Sequence, residues 1–461
     1  MKGARWEEQG NDRGFLPCSL RLVPRAFSLA PRALRLAPSS RCPLPCCLSL
    51  MINRFITKNA ILSQGGTRVT NVVICSAVRT AIGKFQGTLK EVPAVRLGAA
   101  AIKEALLRSK VDPKLVDEVI MGNVLSGGLG QNPARQASIY AGVPYEAGAM
   151  TVNKVCGSGM KAAMLAASEI RSGDAQVIVA GGMESMDMAP FALDKARFGY
   201  RMNNQPIIDL MVHDGLWDVY NNFHMGNTGE IIAQKYGLTR NEIDELALGS
   251  NLKAAAAIKN GHFKNEIVPV DVPAGKGQTV KFDTDEGVRA DSTLEKLAKL
   301  SPAFKKDGVV TAGNASQISD GGAAMVMMSE DKAREIGAPV LARLTHQCFT
   351  GVAPELVMYA PVPTVHKLLK QSGHKISDFD LIEHNEAFAS ASVAVQKEFK
   401  IPSEKFNVHG GAVALGHPIG CSGARVMVTL IHALKTHGKK RGLATVCLGG
   451  GNGVAVALEL A

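Results

Sequence analysis

The chain has 461 residues, 46% hydrophobic and 20% charged, which excludes a disordered or fibrous protein and leaves room for a large core. Aromatic residues are only 5% while glycines number 47, so tight turns and close backbone packing are expected rather than the stacking platform of a single-strand nucleic-acid binder. The formal charge of +11 sits mostly at one end: residues 1–70 hold 11 Lys and Arg against Glu7, Glu8 and Asp12, leaving 41 basic and 38 acidic residues in the body and no nucleic-acid footprint.

Between Arg13 and Arg68 there is no acid, while Arg recurs at 21, 25, 32, 35, 41 and 54. An Arg-rich, Ser-containing, acid-free leader predicts an organelle transit peptide, because a membrane potential draws cations inward, and so a mitochondrial matrix destination. Two alternatives stay open. Residues 42–52 also read as the apolar region of a secretory signal, though two prolines interrupt them and Arg54 follows; and Met51 is a second candidate start. No apolar run is long enough to span a bilayer, so no membrane partner is expected. The body cysteines, Cys75, Cys156, Cys348, Cys421 and Cys447, are scattered and form neither a disulfide framework nor a zinc spacing.

From Asn71 strands and helices alternate. Val72–Ile74 predicts a buried strand, Val95–Leu107 an amphipathic helix, 118–121 a strand ending near glycines, Lys161–Arg171 a helix, and 176–180 a strand running into Gly181-Gly182. β-Branched strands alternating with helices predict an α/β fold with a mixed or mostly parallel sheet covered by helices. The block then repeats: a strand at 341–344, another at 379–382, Cys421-Ser422-Gly423 before a helix, and 444–447 running into Gly449-Gly450-Gly451. The repeat predicts two similar halves, 71–190 with about 306–335, and 336–461. The stretch from about 191 to 305 breaks the alternation and predicts an inserted loop domain.

Three segments carry candidate chemistry. Cys156 in Val-Cys-Gly-Ser-Gly-Met-Lys stands on a glycine-rich turn opening a helix, where unpaired N–H groups and the helix dipole favour a thiolate; its alternative is a small buried hydrophobe. His417, wedged between Gly416 and Pro418, sits on a fixed loop where a ring can act as a base toward a thiol or serve only structure. Cys447 ends a buried strand before three glycines. The glycine run is no dinucleotide fingerprint, because an apolar strand follows it rather than a helix.

Together with Ser76-Ala-Val-Arg-Thr-Ala-Ile-Gly83, Gly130-Gln-Asn-Pro-Ala-Arg-Gln136, Gly181-Gly-Met-Glu-Ser185, His224-Met-Gly226 and Asn385-Glu-Ala-Phe388, these segments resemble the thiolases, and among them the acetoacetyl-CoA thiolases, over essentially all of 71–461. The resemblance implies the thiolase fold in layers and a Claisen condensation of two acetyl-CoA to acetoacetyl-CoA and CoA, reversible by thiolysis. It implies Cys156 as acyl carrier, His417 as its activator and, with a water on Asn385, as a holder of the second substrate's oxygen. Cys447 is the implied α-carbon acid/base, and the N–H groups of Cys156 and Gly449 the other oxyanion hole. Asn385 also reads as a helix N-cap.

For coenzyme A, a substrate rather than a bound cofactor, the resemblance points to Arg289 and Lys296 at the phosphates and to Tyr220, His224, Met225, Asp291 and Ser316 along the pantetheine arm. Tyr220 and Val413, with carbonyls near Ala312, Gly313 and Ala315, match a potassium-activated branch, although Gly313 replaces its alanine. A homotetramer is implied. Three alternatives are a 3-ketoacyl-CoA thiolase of longer-chain preference, a ketosynthase-like condensing enzyme, which pairs its cysteine with two histidines rather than with a Cys447, and an inactive lipid-carrier or scaffold.

Overall fold

The long β-branched runs form strands whose two faces are both covered: Val72–Thr80 (β1) and Val177–Ser185 (β4) are buried at every position. A computed structural model describes residues 70–273 and 277–461; the leader expectations fall outside the described residues. Within them the main strands are β1, β2 (Glu118–Gly122), β3 (Gly148–Val152), β4, β5 (Ser319–Ser329), β6 (Ala342–Gly351), β7 (Leu381–His384), β8 (Arg441–Leu448) and β9 (Asn452–Leu460). They pair in the order β7-β8-β9-β6-β1-β5-β4-β2-β3.

This order contains the duplication. Outward from the β6–β1 pair, each side runs first strand (β1 or β6), last strand (β5 or β9), glycine-ending strand (β4 or β8), then β2 or β7. On both sides the first two junctions are antiparallel and the third parallel. Of the two expected arrangements, mixed or mostly parallel, the sheet takes the mixed one, with five antiparallel and three parallel junctions along the path. The reason is local in the second half. Gly450 and Gly451 both take φ 78° and turn β8 directly into β9, and strands joined by a tight turn must be antiparallel.

The main helices are α1 (Ala94–Ser109), α2 (Ser158–Ser172), α3 (Gly226–Tyr236), α4 (Arg240–Lys259), α5 (Pro361–Ser372), α6 (Ala389–Phe399) and α7 (Ile419–Thr436). Helix α7 is buried at every position from Ile419 to Leu434. It packs on α2, on β1, β4 and β5 of one half and on β7 and β8 of the other. Helices α2 and α7 approach closely because small residues meet: a Cβ on Gly159 would lie 2.8 Å from the Ala424 nitrogen, and one on Gly423 would overlap the Met160 nitrogen.

The stretch that breaks the alternation carries α3 and α4. Helix α4 opens with a reciprocal Thr239–Glu242 capping box and packs on α6 and on the short helix Ala412–Leu415. Arg79 of β1 ties this stretch to the sheet through fully buried pairs, Nε to Glu266 at 2.5 Å and Nη1 to Asp285 at 2.7 Å. Removing one partner of such a pair would leave an uncompensated buried charge.

Gly423→Ala is expected to destabilise the fold by about 1–3 kcal/mol, the scale for an added methyl in a packed interior. The urea midpoint reads this, and an unchanged midpoint would show that α2 and α7 can separate freely.

Candidate active site

The turn before α2 holds Cys156 under local constraint. Val155, a β-branched residue, takes φ 45°, a left-handed conformation that costs on the order of 1–3 kcal/mol. Its amide donates to Asn153 Oδ1 at 3.0 Å; Ser158 Oγ donates to the Val155 carbonyl at 2.6 Å and accepts from the Lys154 amide at 2.8 Å. The half-buried Cys156 is thus aimed by its neighbours rather than by its own packing.

His417 is buried, and both ring nitrogens are engaged. Ser422 Oγ donates to the Pro418 carbonyl at 2.9 Å, so toward His417 Nδ1, 2.6 Å away, it accepts. That places the proton on Nδ1 and leaves Nε2 with a lone pair, 3.3 Å from Asn385 Nδ2. The His417 amide donates to the Gln317 carbonyl and to Ser319 Oγ, fixing the loop.

Asn385 lies just past β7, fully buried, with its Oδ1 unpartnered. It is not a helix cap: Phe388 is the cap residue of α6. Asn407 clamps the segment, accepting from the His384 amide at 2.8 Å and donating to the His384 carbonyl at 3.0 Å and to Glu386 at 2.7 Å. Glu386 in turn accepts from Ser250 Oγ and the Val413 amide, which fastens the loop leading to His417. Cys447, at the end of β8, is buried with its Sγ 3.7 Å from Met358 Sδ.

Cys156, His417, Cys447 and Gly449 line one cavity of about 590 Å³, a size suited to a small ligand. His224, Met225, Arg289, Ser316, Ala312 and Ala315 line it too. His224 stacks on Phe304 with centroids 4.8 Å apart. Asp291 and Lys296 form an exposed ion pair at 2.6 Å and do not line the cavity, and neither does Tyr220, which is 72% exposed beside Gly450. Of the five residues considered for potassium, Ala312 and Val413 already accept from Arg289 Nη1 and Gln317 Nε2.

The electrostatics correct the expectation of a resting thiolate. Burial pushes the Cys156 thiol up to about 12, outweighing the backbone N–H groups of Gly449 and Cys156 that pull it down. Burial also raises Cys447, and the neighbouring Cys156 raises it further. His417 is lowered to about 3, chiefly by burial and then by Arg425. The site rests as two thiols and a neutral imidazole.

Sequence reasoning missed Ser422, Gln317, Phe304, Phe388 and Met358. Ser422 had one signal, a hydroxyl in the first turn after a Gly-His-Pro loop. Phe388 closed the Asn385–Phe388 segment; Gln317, Phe304 and Met358 carry no signal, because only the fold brings them to the cavity.

Residues 72–331 match the thiolase N-terminal domain and residues 338–460 the thiolase C-terminal domain. The chain belongs to the thiolase family. It is 53% identical over 388 residues to the acetyl-CoA acetyltransferase of Pseudomonas aeruginosa, covering 84% of this thiolase and 99% of that protein. With the Escherichia coli enzyme of the same name it shares 54% over 390 residues, covering 84% and 99%. The crystal structure of the Bacillus anthracis acetyl-CoA acetyltransferase superposes with a TM-score of 0.84 at 45% identity, covering 85% of this thiolase and 99% of that chain. These relatives overturn the expectation of a mitochondrial address: they are bacterial proteins, and the family match begins at residue 72, beyond the leader on which that expectation rested. Among the described residues no helix is long and apolar enough to cross a membrane.

The Cys156 thiol is expected to be alkylated by iodoacetamide at a rate rising about tenfold per pH unit up to pH 9, as for a thiol titrating well above that range. Mass analysis of the Cys156 peptide follows it. A plateau from about pH 6 would reveal a resting thiolate–imidazolium pair instead.

Proposed function

We propose that this thiolase is an acetyl-CoA C-acetyltransferase, interconverting two acetyl-CoA with acetoacetyl-CoA and CoA. The observation that carries the reading is the meeting, around one cavity, of a nucleophile, a neutral imidazole held between Ser422 and Asn385, and a second thiol. A Claisen condensation needs those parts, together with donors for two oxyanions.

Cys156 gives its proton to His417 Nε2 and attacks the acetyl carbonyl. The N–H groups of Cys156 and Gly449 take the oxyanion, and CoA leaves as a thiolate that accepts the Cys447 proton. Both thiols are then changed in the required sense: one is acetylated, the other is a thiolate. Two adjacent thiolates would repel, so the proton moves between groups rather than leaving the site. The second acetyl-CoA loses its α-proton to Cys447, its enolate oxygen held by the proton now on His417 Nε2 and by a water accepted on Asn385 Oδ1. Carbon attack on the acetyl group releases Cys156, which recovers its proton from His417. No covalently bound cofactor enters the cycle.

Arg289, His224, Met225 and Ser316 on the cavity wall support entry of coenzyme A from residues 191–305, which we read as the CoA-binding insertion between the halves 71–190 with 306–335 and 336–461. Tyr220, Asp291 and Lys296 are then outer contacts at most. The exposed Phe191, Phe198, Met202 and Ile207 in this insertion support self-association, and we read the assembly as a homotetramer.

Thiolysis of acetoacetyl-CoA by the purified chain tests the activity. Faster thiolysis of a longer 3-ketoacyl-CoA would replace the short-chain reading, and no turnover of either would remove both. Cys156→Ala is expected to lose labelling by radioactive acetyl-CoA; stable label retained on that variant would displace Cys156 as carrier.

Cys447→Ala separates the half-reactions. The variant should still be acetylated, because CoA can leave unprotonated, but condensation and α-proton exchange should fall by about 100- to 10,000-fold, the scale of a lost general base. That is about 3–5 kcal/mol on the condensation barrier. Equal loss in both half-reactions would assign Cys447 to packing alone.

A further inference from the structure

The short helix Ala412–Leu415 leads the chain into His417, and backbone chemistry dictates where it stops. If the helix continued, the Val413 carbonyl would take the His417 amide, and the Ala414 carbonyl would face Pro418, which has no N–H to give. The chain instead swings out at Gly416, with φ 107°, and the His417 amide turns away to the Gln317 carbonyl at 3.1 Å and Ser319 Oγ at 3.2 Å. Val413 and Ala414 are both buried, so their two helix-end carbonyls need a donor from another part of the chain.

Gln317 supplies it. Its Nε2 lies 3.3 Å from the Val413 carbonyl, 3.2 Å from that of Ala414 and 2.8 Å from that of Gly287. All three partners are acceptors only, so the nitrogen of the amide, and not its oxygen, must stand there. One residue therefore mends both sides of the break: its main-chain oxygen takes the amide that left the helix, and its side chain takes the carbonyls left behind.

The third carbonyl belongs to the inserted stretch, two residues before Arg289. There the amide lies against bare backbone: a Cβ on Gly287 would sit 2.8 Å from Gln317 Oε1 and 3.0 Å from Nε2. Glu386 accepts the Val413 amide at 3.1 Å and grips the start of the same helix, while Gln317 grips its end. Gln317, Arg289 and His417 line one cavity.

We propose that Gln317 is a positioning residue for acyl transfer, its side-chain amide capping from outside the helix end that presents His417 and holding that loop in register with the inserted stretch. It acts through the His417 loop and not on the reacting atoms. The inference rests on the Cys156–His417 reading above.

Single-turnover acetylation of Cys156 by acetyl-CoA, followed from pH 5 to 9 in the full chain and in the Gln317→Leu and Gln317→Glu variants, tests it. Leucine keeps most of the bulk and offers no donor. Folded Gln317→Leu is expected to be acetylated 10- to 100-fold more slowly at saturating acetyl-CoA, on the order of the loss from a misplaced catalytic group. The KM for acetyl-CoA should stay within about threefold, because the amide is already engaged by three carbonyls. Gln317→Glu keeps the shape and makes the donor titratable. Protonated, its O–H can still donate to a carbonyl; ionised, it sets an anion against three carbonyl oxygens. Those oxygens disfavour the charged form and raise the carboxyl above its usual value of about 4.3. This variant should therefore work best at the acid end and lose rate as pH rises through that raised value, relative to the unmodified enzyme.

A folded Gln317→Leu with the unmodified acetylation rate overturns the proposal. So does a raised KM at an unchanged rate, which would make Gln317 part of the binding wall only. A Gln317→Glu profile parallel to the unmodified one also overturns it, because a loss through packing alone carries no such titration. Should Gln317→Leu not fold, Gln317→Glu prepared at pH 5 decides by the same comparison. Failure of both to fold would make the contact a folding requirement and overturn the positioning role. Unmodified enzyme that takes no acetyl group at Cys156 would instead defeat the catalytic reading itself.

Discussion

The close crossing of α2 and α7 is the constraint on which the rest of this molecule depends. Cys156 stands on the turn entering α2 and His417 on the loop entering α7, so the spacing of the helices sets the spacing of the two side chains. Gly159 and Gly423 allow backbone to meet backbone there, and burial of α7 between strands of both halves prevents retreat. A duplicated fold gains a shared site this way: neither half carries the full set of groups, and the contact between equivalent helices assembles it.

Dryness is the second theme. Helix N-termini and oriented amides favour charge, but they act locally, while desolvation acts on every group in the cavity. At Cys156 desolvation outweighs the amides, and at His417 it outweighs the ordinary basicity of imidazole. A site built from neutral groups suits a reaction in which a proton must travel with each bond exchange. Strain at Val155 and the clamps made by Ser158 and Asn407 supply the orientation that packing alone would leave loose.

The cavity also shows how a binding region divides labour. The walls nearest the thiols are apolar, with Met358, Phe304 and Phe388, while Arg289 lies on the wall contributed by the inserted stretch. The ion pair of Asp291 with Lys296 stays in solvent, where such pairs contribute little to stability.

Much was legible in the linear chain, because some properties follow from local pattern. Apolar β-branched runs forecast β1, β4, β8 and β9; the Cys-Gly-Ser-Gly, Gly-His-Pro and Cys-Leu-Gly-Gly-Gly segments forecast turns that present a side chain; and the repeat of a cysteine-bearing turn, helix and glycine-ending strand forecast two halves. The sense of the strands was not legible, since a three-glycine turn and a long insertion look alike to hydrophobic patterning. Nor was the state of the groups. Ser422 is an ordinary polar residue in sequence, and only the packing that sets its hydroxyl against His417 Nδ1 gives it a part there. By itself the sequence determined the secondary elements and the turns that present Cys156, His417 and Cys447, which depend on residues near each other in the chain. Tertiary structure alone decided which of them meet, how far water is excluded and where each proton rests, because solvation and distance belong to the folded whole.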